Sequence, residues 1–193
     1  MKPDVHMITI TGNAISEHYR DLVKPSWEDA GWKVLNFEAL VPEDCVNVKI
    51  LPLGDKRRGA KIVGFTETEI AVWYSHYYAW MLCRKLDKPI IVAEHDILLE
   101  QDIDPDVFNH PIACLSHVTR RNGDHAKLAG GAYYITPAGA KRLCAIKDHK
   151  KDSVDYNSDA WIHRICDTYG KWFMMTTIQV QDQEVGVTVE HRK

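Results

Sequence analysis

The chain has 193 residues, 45% hydrophobic and 26% charged, which predicts one packed domain and excludes a disordered chain. Its net charge of −3 gives no global pull toward nucleic acid or anionic lipid, and no apolar run approaches the roughly 20 residues of a membrane span. Asp4 comes early, no apolar signal core follows it, and the five cysteines are scattered without a Cys-x-x-Cys pair. Those features predict a cytoplasmic protein with buried, reduced thiols, and they argue against zinc knuckles or thioredoxin chemistry.

Residues 5–10 alternate as a first strand, and Thr11-Gly12-Asn13 is a turn. A helical pattern over 15–32 follows, with Ser16 as its cap, Gly31 as its stop and a break or kink at Pro25. Residues 33–37 form a second strand. This strand–helix–strand opening is the βαβ unit of an α/β fold. The pattern lapses over 41–64, a flexible loop made basic by Lys56, Arg57, Arg58 and Lys61; it reads as a flap for an anionic substrate or as a solvated excursion. Thr66 and Glu69 have the spacing of a capping box, and they open an apolar helix that contains His76 and Trp80.

The most informative stretch is 89–96. Ile90, Ile91 and Val92 are consecutive and β-branched, as in a strand covered on both faces. Glu94 and Asp96 then follow at i and i+2. At the carboxyl end of an α/β strand such a pair points into the ligand crevice. Two converging carboxylates make a hard-cation site for Mg²⁺ or Mn²⁺, suited to a bound diphosphate; a solvated acidic strand end is the plain alternative. His95 points the other way if the strand continues.

Residues 111–115 are another short buried strand. Asn122-Gly123 is a hairpin signal. Gly130 and Gly131 allow close backbone approach to a ligand, and a strand over 133–135 leads to Thr136 as N-cap and Pro137 as the first helical residue. Asp155 precedes a helix over 160–169, for which Ser158 or Asp159 is the cap. A strand over 172–175 and a polar tail over 176–193 complete the chain.

Three ordered segments carry a resemblance: Thr66-x-x-Glu69-Ile70-Ala71 with Ser75-His76 and Trp80; Ile90 through Asp96; and Gly131 through Thr136 with Gly139-Ala140-Lys141-Arg142-Leu143. Together they resemble glycosyltransferase family 25, the lipooligosaccharide galactosyltransferase-type enzymes. His95 stands where that family has a middle acid and the chain is shorter than typical members, so it resembles a small divergent relative of a kind expected in a bacteriophage, working in the host cytoplasm. The resemblance implies a single-domain GT-A fold over 1–193, Rossmann-like, with a mostly parallel central sheet. It implies a hexosyl- or pentosyltransferase that takes a nucleotide-diphosphate sugar, UDP-sugar first, with Mn²⁺ or Mg²⁺. Asp96 would hold the metal, and Glu94 the metal or the ribose. Asp159 would be the base, with Asp155 next in line. Glu69 and His76 would line the site, Arg57 and Arg58 would close over the diphosphate, and His191 would complete the metal shell. The acceptor would be a saccharide or a modified DNA base such as hydroxymethylcytosine. The competing expectations are an inactive nucleotide-sugar or glycan-binding module and a nucleotidyltransferase.

Overall fold

The structure, a computed structural model, describes residues 2–46, 56–58, 61–63, 65–119, 125–145 and 158–180. Its first unit is β1 (Val5–Thr9), α1 (Ala14–Asp29) and β2 (Val34–Glu38). Pro25 does not break α1, which corrects the expected interruption. The carbonyl that loses its partner to Pro25 belongs to Asp21, which is exposed, so water can satisfy it. The cap is Asn13 and not Ser16: the Asn13 side chain accepts from the Ile15 and Ser16 amides at 3.1 and 3.0 Å. Ser16 is buried, and its hydroxyl accepts from the Ile10 amide at 2.9 Å. Gly31, at φ 79°, supplies the left-handed residue that ends the helix.

The stretch after β2 is described only in part. It holds α2 (Pro42–Cys45) and a two-stranded antiparallel sheet of β3 (Lys56–Arg58) and β4 (Lys61–Val63). Pro42 suits the first turn, where an amide is dispensable, and the Asp44 carboxylate accepts from the Val41 amide. Then come α3 (Glu67–Leu86), β5 (Ile90–Glu94), β6 (Ile97–Leu99), a 3-10 turn (Pro105–Asn109), β7 (Ile112–Thr119), β8 (His125–Ile135), α4 (Pro137–Cys144), α5 (Ser158–Tyr169) and β9 (Lys171–Gln179). No described helix is long and apolar enough to cross a membrane.

The main sheet has seven strands in the order β2-β1-β5-β8-β7-β9-β6. From the pairings, β2, β1, β5, β7 and β9 run one way, and β8 and β6 run against them. The sheet is thus mixed, with most strands sharing one direction. Antiparallel β7 and β8 flank the expected Asn122-Gly123 turn, which itself lies outside the described residues. The expected tail begins too early: β9 continues to Gln179, and Thr176 and Thr177 are buried in it.

Both faces of β5 are covered, and its residues alternate between two cores. Ile90 and Val92 pack with Trp73, Trp80, Tyr133, Leu143 and Trp161 under α3, α4 and α5. Ile91 and Ala93 pack with Val23, Trp27, Trp32 and Val107 beneath α1. Each such burial contributes about 1.5–3 kcal/mol relative to exposure. Two tryptophans also tie layers together, because Trp27 donates to the Ile97 carbonyl and Trp161 to the Leu143 carbonyl. All five cysteines are free thiols, four of them buried.

Parallel β2, β1 and β5 finish at one edge of the sheet. From β1 the chain goes out to β2 and returns on β1's other side as β5, which makes the β1/β5 boundary a switch point where ligands enter such sheets.

Candidate active site at the switch point

Glu94 is the last residue of β5. Two residues after Val92, it faces the α3 side of the sheet. On α3, Trp73, His76 and Trp80 fall on one inward face by helical spacing, and all three are buried. His76 Nε2 lies 3.4 Å from Glu94 Oε1, and His76 Nδ1 lies 2.9 Å from the Tyr133 hydroxyl. The Trp80 indole N–H donates to that same hydroxyl at 2.8 Å. Burial alone would raise the Glu94 pKa, but the hydrogen bond and field of His76, with a smaller part from His95, hold it below the usual carboxylate value. The Glu94 side chain keeps 25% of its surface exposed.

The strand ends at Glu94, so the next two residues turn instead of continuing the pleat. His95 still faces the α1 side, its ring 6.4 Å from that of Tyr19, and burial lowers its pKa. Asp96 is gripped from the far end of the chain. Gln179 on β9 donates to Asp96 Oδ2 at 2.7 Å, and the Val180 amide bonds the Asp96 carbonyl. Asp96 Oδ1 is buried and has no hydrogen-bond partner among the described residues. Burial first, then the neighbouring Glu94 charge, pushes the Asp96 pKa up to about 7.

Asp159 lies within the first turn of α5, which starts at Ser158, and is not its cap. It reaches the site because Gly130 on β8 has no side chain. A Cβ built on Gly130 would stand 2.0 Å from Asp159 Oδ1 and 3.7 Å from His76 Nε2. The close approach that Gly130 permits is therefore to a carboxylate of the same chain. Burial, then the Glu94 charge, lifts the Asp159 pKa to about 6.

A further carboxylate, not expected from the sequence, stands at the same edge. Glu38 ends β2 beside Thr9 at the same edge, and its oxygens accept from the Thr11 amide at 3.0 Å and from the Thr11 hydroxyl. Glu17 accepts from the Gly12 amide at 3.0 Å. The loop after β1 is thus held by two acids. A strand-terminal acid one βαβ unit into the chain was the available signal.

The Glu69 carboxylate accepts from the Thr66 amide and hydroxyl at 2.9 and 3.0 Å, completing the capping box of α3. Gly131 is buried in β8. Arg57 and Arg58 lie on β3, in register with Ile62 and Lys61. Asp155 and His191 lie outside the described residues.

The donor set fits a hard divalent cation in part. Glu94 and Asp96 offer only carboxylate oxygens, and the orphaned Asp96 Oδ1 is an acceptor that needs a cation or a donor. No cluster of three or more potential ligands occurs among the described residues, so water or substrate oxygens would supply the rest of the shell.

No protein-family model and no curated protein matches the chain, and the family-25 resemblance therefore stays an expectation. Among solved structures the chain is similar to a glycosyltransferase involved in the glycosylation of the major capsid of PBCV-1. The identity is 8% and the TM-score 0.48, over 89% of this chain and 81% of that one. It is also similar to a protein described as a glucose-1-phosphate thymidylyltransferase of Bacillus anthracis in complex with a sucrose, at 12% identity and TM-score 0.42, over 90% of this chain and 68% of the other.

Proposed function

We propose that the chain is a metal-assisted glycosyltransferase with a single GT-A-type domain. It moves a sugar from a nucleotide-diphosphate donor, UDP-sugar first, to a hydroxyl on a saccharide or a modified DNA base. The observation that carries the reading is the acidic cluster at the switch point, in which Glu94 is flanked by Asp96, with one orphaned oxygen among the described residues, and by Asp159, whose pKa is raised to about 6. Asp96 and Glu94 would hold Mn²⁺ or Mg²⁺, and the ion, when bound, neutralises the departing diphosphate. Asp159 takes the acceptor hydroxyl proton. The acceptor oxygen bonds to the anomeric carbon while the bond from that carbon to the diphosphate breaks. With a pKa near 6, Asp159 is ionised at neutral pH yet more basic than an ordinary carboxylate. Glu38 and the Thr11–Gly12 loop would face the nucleoside end of the donor.

The test is thermal stability against nucleoside diphosphates and nucleotide sugars, with and without Mn²⁺. A ligand at about 100 times its dissociation constant adds ~2.7 kcal/mol. One nucleotide should stabilise only with metal, and Asp96→Asn should abolish the effect. Absence of any binding would sink the proposal. Product analysis excludes the rival nucleotidyltransferase if nucleoside diphosphate, and no pyrophosphate, is released.

A further inference from the structure

Tyr133 is fully buried, and its hydroxyl has two polar partners among the described residues, Trp80 Nε1 and His76 Nδ1. An indole nitrogen can only donate, so the Tyr133 oxygen accepts from Trp80. The hydroxyl has one proton of its own. If His76 Nδ1 also donated to Tyr133, that proton would be left buried without an acceptor, a cost of about 1–3 kcal/mol. The proton therefore goes to His76 Nδ1, and the ring carries its hydrogen on Nε2.

We infer that Tyr133, set by Trp80, is a positioning residue that locks His76 as the Nε2-protonated tautomer, so that His76 serves as a fixed donor between Glu94 and Asp159 and not as the proton-accepting base. His76 Nε2 is 3.4 Å from Glu94 Oε1, and it stands near Asp159 Oδ1 around the same point above Gly130, at 3.7 and 2.0 Å from it. With both ring nitrogens committed, His76 has no lone pair for an acceptor hydroxyl. Among the described residues Asp159 makes no hydrogen bond or ion pair, and it remains the group in the cluster able to take the proton. The relay Trp80→Tyr133→His76→Glu94 also fixes which Glu94 oxygen is engaged, Oε1. Its role in positioning rests on the transferase proposal; the order of its hydrogen bonds does not.

The experiment is a long-range ¹H–¹⁵N correlation spectrum of the imidazoles in ¹⁵N-labelled protein, with His76 assigned by its loss in His76→Gln or by correlation to its own backbone. The expected wild-type pattern is an unprotonated Nδ1 and a protonated Nε2. Glu94 accepts from Nε2 and would hold the hydrogen there by itself, so residue 94 is relaxed first. In Glu94→Gln, whose amide can accept or donate, Tyr133 should still hold the Nε2-protonated form. Adding Tyr133→Phe removes the donor to Nδ1, and a major fraction of the Nδ1-protonated form should emerge. A wild-type Nδ1–H overturns the inference, and so does a double-variant spectrum identical to that of Glu94→Gln. Should the double variant fail to fold, an unchanged spectrum on adding Trp80→Phe to Glu94→Gln overturns it equally. The spectrum needs neither donor nor metal, so failure of the transferase proposal would show separately, as absent nucleotide binding with the tautomer intact.

Discussion

Asp159 occupies space that exists because residue 130 is glycine, and two predictions follow from that contact. Burial and the Glu94 charge raise its pKa from 3.8 to about 6, so the folded protein holds this proton more tightly than the unfolded chain. Stability therefore falls as pH climbs from about 4 through about 6, and is level above. Asp159→Asn should stabilise the protein at pH 8, on the order of 1–3 kcal/mol, and bring little at pH 4. The same variant should lose roughly 10²–10⁴-fold in turnover. In the wild type kcat/KM should rise with pH through about 6. Unchanged melting at pH 8, or a flat profile, would count against the buried base. The second prediction concerns Gly130→Ala, whose methyl must displace the carboxylate. Turnover should fall by about 100-fold with donor affinity nearly kept, because proton transfer tolerates little misplacement. Kinetics and donor titration separate the two. Glu94 and Asp96 were legible in the sequence because i, i+2 spacing after a buried strand has a geometric meaning of its own. Gly130 was legible only as a close approach, since nothing local says what approaches. Gln179 was illegible as a site residue, because it meets Asp96 through strand register across 83 positions.

The elements show where local signals hold and where packing overrides them. Thr66/Glu69 and Thr136/Pro137 start their helices as their chemistry predicts. At α1 the cap lay three residues earlier than the first serine, because that serine is recruited to satisfy the Ile10 amide. Asn13→Ala should cost about 1 kcal/mol in urea denaturation, with both amide bonds lost; no change would remove Asn13 from the cap. Pro25 survives in the helix because α1 is fastened to β6 by the two residues that follow it. Ser26 accepts from the Leu99 amide at 3.0 Å, and Trp27 donates to Ile97. Pro25→Ala restores an amide to the Asp21 carbonyl, and the same denaturation should show a gain of about 1 kcal/mol, less than the ~3 of an isolated helix because proline also restrains the unfolded chain.

For the molecule as a whole, net charge bears on the acceptor of the proposed transfer. A chain of net charge −3 has little general attraction for DNA. We expect transfer to a saccharide to be nearly flat with salt. A DNA acceptor held by three phosphate contacts would instead lose roughly 40-fold between about 50 and about 200 mM salt. Activity on each acceptor class across that range decides between them. The α/β class and the strand–helix–strand opening were readable from periodicity. The reversed β8 and β6, and the passage of β9 between β7 and β6, depend on pairings between distant segments that no local pattern records.

The grip of Gln179 on Asp96 has a consequence in the order of synthesis. A nascent chain emerges from its N-terminus, so β1, α1, β2 and β5 can assemble while the last strand is still unmade. Asp96 stands at the turn into β6, whose strand partner among the described residues is β9. A chain interrupted before residue 179 would display the nucleotide-side loop with its acidic pair unset. On the proposed function, competence would then arrive only with the last strand, and a truncated product would be inert.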